Sequence, residues 1–449
     1  MLDWISQAAR SGPDHPFIVT RDRSWMTAEV EDRVASMAGG LREAGVMSGV
    51  TVGLVASNDV DSVTAMFAIW RAGGAVQLLD PRLAPAELDH QTAQVGVTLV
   101  IGGGASSDSV NLIAPSALRG TGVRAGEIDP ARVAWIVFTS GSAGRPKGVR
   151  LTFANLEASA SASTEHLGHD SDDVWLCNLP ISHVGGASIL VRSAREASTV
   201  MLEPRFDPLQ TAAALRAGAA TIASLVAVTL ARTLDVHPGR YSGVKAVLVG
   251  GGPVPFDLVE RARAAGLPVL PTYGMTETAS QIATARPEDG KVVAVPGAEI
   301  RSVDGRLGVR GPMLFDGYVG EGRRDAADWF ETGDLGTVSA DGVIEVLGRA
   351  DDVIVTGGEN VHPSEVEAVL GEHPGVDAVV VMGYPDPDWG QSLIAVYEGG
   401  AAPGELERHA RYRLAGFKIP RRWVATALPR LAVGKVDRRA AREIADGSP

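Results

Sequence analysis

A second cysteine is missing from this chain: Cys177 stands alone among 449 residues, so no disulfide can close within it. That absence suits a reducing compartment. Cys177 sits in Val174-Trp175-Leu176-Cys177-Asn178-Leu179, an apolar run that reads as a strand, where a lone thiol is a packing residue rather than a nucleophile. Positive charge is short as well. With 41 Lys and Arg against 54 Asp and Glu, the net charge is −13, which repels nucleic acid and leaves any useful cation to act locally. No apolar run is long enough to cross a membrane. The longest, residues 217–231, is rich in Ala, Gly and Thr. Nor does Met1-Leu2-Asp3-Trp4 open a basic stretch followed by an apolar one. The expectation is a soluble cytoplasmic protein with no membrane or nucleic-acid partner; a homodimer stays open.

What the chain does contain is alternation. Helix-like residues 27–44 carry Val30, Val34, Met37, Ala38 and Leu41 on one face, and 50–56 reads as a strand before a helix over 60–72. Further strands fall at 98–101, 221–225 and 246–249, the last followed by a helix over 256–265. This pattern predicts α/β architecture with largely parallel sheets. Glycine and proline become dense over 296–336, where short strands at 299–302 and 307–310 predict a β-rich subdomain. Past Gly348 come a helix at 364–370, strands at 376–382 and 393–398, and a helix at 405–414. A chain of this length exceeds one ordinary core. We expect a large N-terminal domain (1–348) of parallel-rich sheets with the β-rich subdomain, and a small mobile α+β C-terminal domain (349–449).

Phe138-Thr139-Ser140-Gly141-Ser142-Ala143-Gly144-Arg145-Pro146-Lys147-Gly148 follows the apolar run Val133-Ala134-Trp135-Ile136-Val137. Glycines let backbone N–H groups approach phosphate oxygens, the hydroxyls of Thr139, Ser140 and Ser142 donate, and Arg145 and Lys147 add charge. A hairpin turn rich in small residues has the same composition. It is not a Walker A loop, because Lys147 is followed by Gly148-Val149-Arg150-Leu151-Thr152, a return strand rather than a helix. In residue order the loop resembles the phosphate loop of the adenylate-forming superfamily: acyl-CoA synthetases, peptide-synthetase adenylation domains and firefly-type luciferases. Further segments resemble that family's motifs in order. These are Leu179-Pro180-Ile181-Ser182-His183-Val184-Gly185-Gly186, Val249-Gly250-Gly251-Gly252-Pro253, Tyr273-Gly274-Met275-Thr276-Glu277-Thr278 and Thr332-Gly333-Asp334. Gly348-Arg349-Ala350-Asp351-Asp352, Gly357-Gly358-Glu359-Asn360-Val361-His362-Pro363 and Gly434-Lys435-Val436-Asp437-Arg438 complete the set.

The resemblance implies ATP, Mg²⁺ and coenzyme A, used in two half-reactions: a carboxylate forms an acyl-adenylate, then a thiol displaces AMP. By the same resemblance Lys435 bridges the carboxylate and the α-phosphate, Glu277 holds the metal, and Thr276, Thr139, Ser140, Gly141, Ser142, Gly144 and Lys147 meet phosphates. Gly251, Gly252 and Pro253 would line the adenine, while Tyr273 and Gly274 belong to the segment that meets the phosphates and metal. Asp334 and Arg349 would serve the ribose, Asp351 would be the hinge, and Gly357 and Gly358 would pass the pantetheine arm. Lys435 could equally be a solvated lysine, and Asp334 part of an Asx-turn.

The acyl pocket is expected around His183, with Ser224 and the helix face Gly185, Ser188 and Arg192. Two small residues leave room there, and Arg192 can pair with a second carboxylate on the substrate. The alternative has Arg192 on a solvent face or bonding carbonyls of the scaffold. No acid between His183 and Arg192 meets an α-ammonium, which argues against an amino-acid adenylation domain; nor is a carrier domain expected after Pro449. Within the family the chain most resembles the coenzyme A ligases of menaquinone biosynthesis, whose substrate bears an aromatic carboxylate besides the one activated. It departs from the usual pattern at Ser182, where a bulky residue is common, and at Ala227, where proline is. A fatty- or aryl-acid ligase of another pathway, or a non-catalytic nucleotide-binding homologue, remain as alternatives.

Overall fold

A computed structural model describes residues 3–103, 109–139, 146–237, 239–356, 359–414, 416–431 and 435–447. Two large sheets dominate. One has nine strands, with a mainly parallel centre running Val269–Met275, Ala246–Val249, Ile222–Leu225, Val174–Cys177, Thr199–Leu202 and Pro16–Val19. The other has seven, with Val133–Thr139, Ala75–Leu79, Thr51–Val55, Leu99–Ile101 and Asn111–Ile113 in parallel. These strands are short continuous apolar runs because helices cover both faces. Helix Val60–Ala72 shows the extreme case. Asp59 caps its first turn by accepting from Ser62 N at 2.7 Å, Gly73 ends it at φ 113°, and every residue from Ser62 to Ala72 is buried. A single core joins Leu54, Val76 and Trp135 of one sheet to Trp175, Val200 and Ile222 of the other.

The helix expected over 27–44 forms as Thr27–Glu43, burying Val30, Val34, Met37, Ala38 and Leu41. Cys177 is free and fully buried, and burial pushes its thiol up to about 12. The β-rich region is a four-stranded antiparallel sheet of Glu299–Val303, Arg306–Arg310, Phe330–Val338 and Ile344–Arg349. One piece leaves it: Gly317–Tyr318 joins the edge of the seven-stranded sheet, pairing with Lys147–Thr152.

The fourth sheet, of five strands, comprises Ile354–Thr356, Glu359–Val361, Ala378–Asp386, Gly390–Glu398 and Arg422–Ala425. Its side chains alternate between two cores. Val381, Ala395 and Tyr397 pack with helices Pro363–Gly371 and Pro403–Arg413, while Val380, Ile394 and Val396 pack with Ala441 and Ala445. The strand expected at 376–382 extends to Asp386. Gly383-Tyr384-Pro385-Asp386 has turn composition, yet Tyr384 and Pro385 pair with Ser392 and Gln391, and the chain reverses only beyond Asp386. No helix among the described residues is long and apolar enough to cross a membrane.

Candidate active site

The residues singled out by motif converge because most of them follow the carboxyl ends of parallel strands, where open α/β sheets form their clefts. Asp80 follows Ala75–Leu79, His183 follows Val174–Cys177 by six residues, Val226 follows Ile222–Leu225, and Gly250 follows Ala246–Val249. Thr139 ends Val133–Thr139 and pairs across the hairpin with Lys147. Ser140, Gly141, Ser142, Gly144, Arg145, Gly357 and Gly358 lie outside the described residues.

At one end of the cleft the Tyr273 hydroxyl donates to Asp334 Oδ2 at 2.6 Å. Arg349 faces Asp334 across paired strands, with Nη1 3.4 Å from Oδ1 and 3.0 Å from the Thr332 carbonyl. Gly336 N bonds the Gly305 carbonyl at 2.9 Å rather than Asp334, so the Asp334 carboxylate is not spent on an Asx-turn. Burial and the adjacent Asp334 raise the Tyr273 phenol, keeping it a proton donor. Each Asp334 oxygen retains a lone pair, enough to accept from paired hydroxyls.

Thr276 and Glu277 lie in a single 3₁₀ turn, Thr276–Thr278, after Val269–Met275. The turn reverses through Ala279 at φ 55° and Ser280 at φ 143°, left-handed conformations for residues with side chains. Gly274 has to be glycine here, since a Cβ would come within 2.0 Å of the Ser280 carbonyl. Glu277 is held at both ends by one segment: Phe315 N donates to its carbonyl at 2.8 Å, and the Tyr318 hydroxyl to Oε1 at 2.9 Å. The Lys147 ammonium lies 4.7 Å from the centre of the same Tyr318 ring. Among the described residues no three His, Cys, Asp or Glu side chains gather as a metal cage. A lone carboxylate such as Glu277 fits Mg²⁺, which keeps most of its waters and takes its other ligands from substrate phosphates.

Lys435 comes from the far end of the chain, yet a Cβ built on Gly251 would lie 3.2 Å from its Cε and 3.7 Å from Nζ. Gly251 itself has φ 80°. Gly252 and Pro253 continue this exposed strip. Lys435 is exposed, but the protein around it excludes enough water to lower its pKa.

His183 precedes helix Val184–Glu196, its Nε2 3.3 Å from Asp80 Oδ2. Asp80 also accepts from Arg82 N, Nε and Nη2 at 2.8–2.9 Å and from Ser182 Oγ at 3.2 Å. Burial opposes the Asp80 charge, but the bonds from Arg82 and the adjacent His183 ring outweigh it and hold the carboxyl well below the usual range. Ser182, small and polar where the family has bulk, thus supports the carboxylate beside His183.

Ser188 and Arg192 line one narrow cavity too tight to admit a water molecule, walled also by Trp135, Ser159 and Ala279. Gly185 is not brought to it. Arg192 is 2% exposed, and its Nε and Nη2 have no hydrogen-bond partner. It is neither on a solvent face nor spent on carbonyls through those two nitrogens. Burial lowers its pKa, and its guanidinium lies 5.3 Å over Trp175. Trp175 Nε1 in turn donates to Ser224 Oγ at 3.2 Å.

Asp80, Trp175 and Tyr318 escaped the reading of the sequence. Each acts through a partner remote in the chain, and only the aspartate's place after a strand hinted at it.

A tyrosine-backed carboxylate, a metal-compatible glutamate and a lysine set against a glycine turn are the parts of an adenylate-binding enzyme. The chain belongs to the AMP-binding enzyme family, whose model matches residues 5–319, while that of the AMP-binding enzyme C-terminal domain matches 365–435. It is 34% identical to the 2-succinylbenzoate–CoA ligase of Listeria monocytogenes, over 99% of both chains. It is also similar to the o-succinylbenzoate CoA synthetase of Bacillus subtilis. The complex with the acyl-adenylate intermediate matches at TM-score 0.90 and 30% identity, covering 100% of this chain and 99% of that one. The complex with ATP and magnesium ion matches at TM-score 0.90 and 31% identity, covering 98% and 99%.

Proposed function

We propose that the protein is a cytoplasmic, AMP-forming acid–CoA ligase whose acid is o-succinylbenzoate. The observation that carries this reading is the position of Lys435 against Gly251, in the turn that follows the strand Ala246–Val249. Whole-chain likeness to ligases of that acid supports the choice of substrate.

In the first half-reaction a carboxylate oxygen bonds to the α-phosphorus of ATP and the bond to pyrophosphate breaks. An anion must approach a polyanion, so fixed positive charge at the developing transition state is the main requirement. Lys435 supplies it at the α-phosphate, and Lys147 with Thr139 and Thr276 at the outer phosphates. The magnesium ion, when bound at Glu277, offsets charge on the phosphate oxygens. Asp334 accepts from the ribose hydroxyls, with Tyr273 and Arg349 fixing its rotation. Gly251, Gly252 and Pro253 offer a flat backbone strip for adenine.

In the second half-reaction the coenzyme A sulfur bonds to the acyl carbon and AMP leaves with the electron pair. Lys435 and the thiol cannot occupy one place, so residues 349–449 rotate as a body about Asp351, withdrawing the lysine and bringing in Gly357 and Gly358. The boundary of the larger domain then falls at residue 348. His183, set by Asp80, borders the acyl group together with Ser224. Arg192 receives the aromatic carboxylate once Ser188 and Ala279 give way, which satisfies a guanidinium otherwise buried without an anion.

A pyrophosphate-release screen over a panel of carboxylic acids, run with and without coenzyme A, tests the assignment. Expected is strong release with o-succinylbenzoate and thioester only when coenzyme A is present. Preference for a fatty or simple aryl acid would overturn the substrate and leave the ligase chemistry standing.

A further inference from the structure

Tyr318 carries none of the roles assigned so far, although it touches two residues that do. Its hydroxyl donates to Glu277 Oε1 at 2.9 Å, while the Lys147 ammonium sits 4.7 Å from its ring centre. The residue is firmly placed. Tyr318 pairs with Val149 at the sheet edge, and the Arg150 guanidinium binds the carbonyls of Tyr318, Glu321 and Gly322 at 2.7–3.0 Å. Phe315, whose amide holds the Glu277 carbonyl, packs its ring edge-on against Tyr318 at 4.8 Å.

We propose that Tyr318 is a positioning residue for adenylation: its hydroxyl orients the Glu277 carboxylate and its ring seats the Lys147 ammonium. The metal-binding turn and the phosphate-loop hairpin are thereby fixed relative to each other before ATP arrives. A phenol on Oε1 leaves the lone pairs of Oε2 for a cation, and the ring face holds the ammonium without neutralising it, as a carboxylate would. The inference rests on the ligase reading above, which supplies the metal and the phosphates.

Two variants separate the parts. Tyr318→Phe keeps the ring and removes only the hydroxyl; Tyr318→Leu removes both. ATP affinity is measured by calorimetry with and without Mg²⁺, next to thioester formation from supplied acyl-adenylate, which needs no pyrophosphate departure. For Tyr318→Phe the apparent Mg²⁺ affinity in the ATP complex should fall about tenfold, the share of one charge-assisted hydrogen bond. Metal-free ATP affinity and thioester formation should stay within about twofold of wild type. Tyr318→Leu should in addition weaken metal-free ATP binding about threefold, the share of one exposed cation–π contact. Unchanged Mg²⁺ affinity in Tyr318→Phe overturns the proposal, as does equal loss of metal-free binding and thioester formation, which would mark a purely structural residue. Identical metal-free affinities in the two variants would remove the role of the ring. If wild type releases pyrophosphate with no acid at all, the ligase reading falls, while the calorimetry still decides on Tyr318.

Discussion

Replacing Arg192 by methionine should strengthen the empty protein and cripple it toward its acid. The side chain is 2% exposed, two of its nitrogens lack partners, and the groups around its cavity include no carboxylate. Exchanging buried charge for an apolar chain of similar volume stabilises by about 1–4 kcal/mol in known cases. The lost contact with Trp175 returns about 0.5–1 kcal/mol of that. A net gain of up to about 3.5 kcal/mol is expected, read as a rise in the urea midpoint of the unliganded protein without change of slope. Toward o-succinylbenzoate, loss of a charge-assisted bond worth about 1.5–3 kcal/mol should lower kcat/KM roughly 10- to 100-fold. A monocarboxylic analogue, having nothing to offer the guanidinium, should be affected far less, and the KM for ATP should stay put. A fall in stability beyond about 1 kcal/mol would show that Arg192 is held by the scaffold, and equal loss for both acids would make it structural. An unchanged kcat/KM for the dicarboxylate would make it a bystander.

Lys435→Ala should abolish adenylate formation, by about 10²–10³ or more in rate, yet leave thioester formation from supplied acyl-adenylate intact; equal loss in both assays would remove Lys435 from its role. Asp351→Pro should do the reverse, since proline fixes φ and restricts Ala350 within the short turn Ala350–Asp352; wild-type rates in both halves would put the hinge elsewhere. His169 is buried and bonded through Nε2 to Ser198 Oγ at 2.9 Å, and burial lowers its pKa to about 4 despite the opposing pull of Asp173. Between about 6.5 and 4 the unfolded chain binds the extra proton, so stability falls as pH falls, by about 2 kcal/mol at pH 5. His169→Gln should therefore show a smaller loss than wild type in urea titrations at pH 7 and pH 5, and identical losses would refute the assignment.

Periodicity made the regular elements legible. The helix Thr27–Glu43 and the strands Ala246–Val249 and Ile222–Leu225 carry their burial in the spacing of their apolar residues. Segments whose placement depends on a distant partner were not legible. Gly383 to Asp386 looks like a turn until the opposite strand pairs with it, and Gly317–Tyr318 looks like part of the β-rich region until it joins the hairpin of the phosphate loop. The site divides in the same way. Residues inside recurring motifs, such as Asp334 and Lys435, could be named from the chain alone. Asp80 and Tyr318 could not, because their meaning lies in contacts with Ser182, 102 positions on, and Glu277, 41 positions back. The strained Ala279 and Ser280 carry no compositional mark at all.

The solitary cysteine bears on the chemistry in another way. Coenzyme A is a thiol, and its oxidised form exchanges with any accessible protein thiolate to leave a mixed disulfide. Cys177 is fully buried, and its pKa of about 12 leaves almost no thiolate at neutral pH. An enzyme that takes coenzyme A as a co-substrate therefore offers it, through Cys177, no sulfur to be captured by. It should keep full activity through oxidative episodes that would silence a relative with one exposed sulfur.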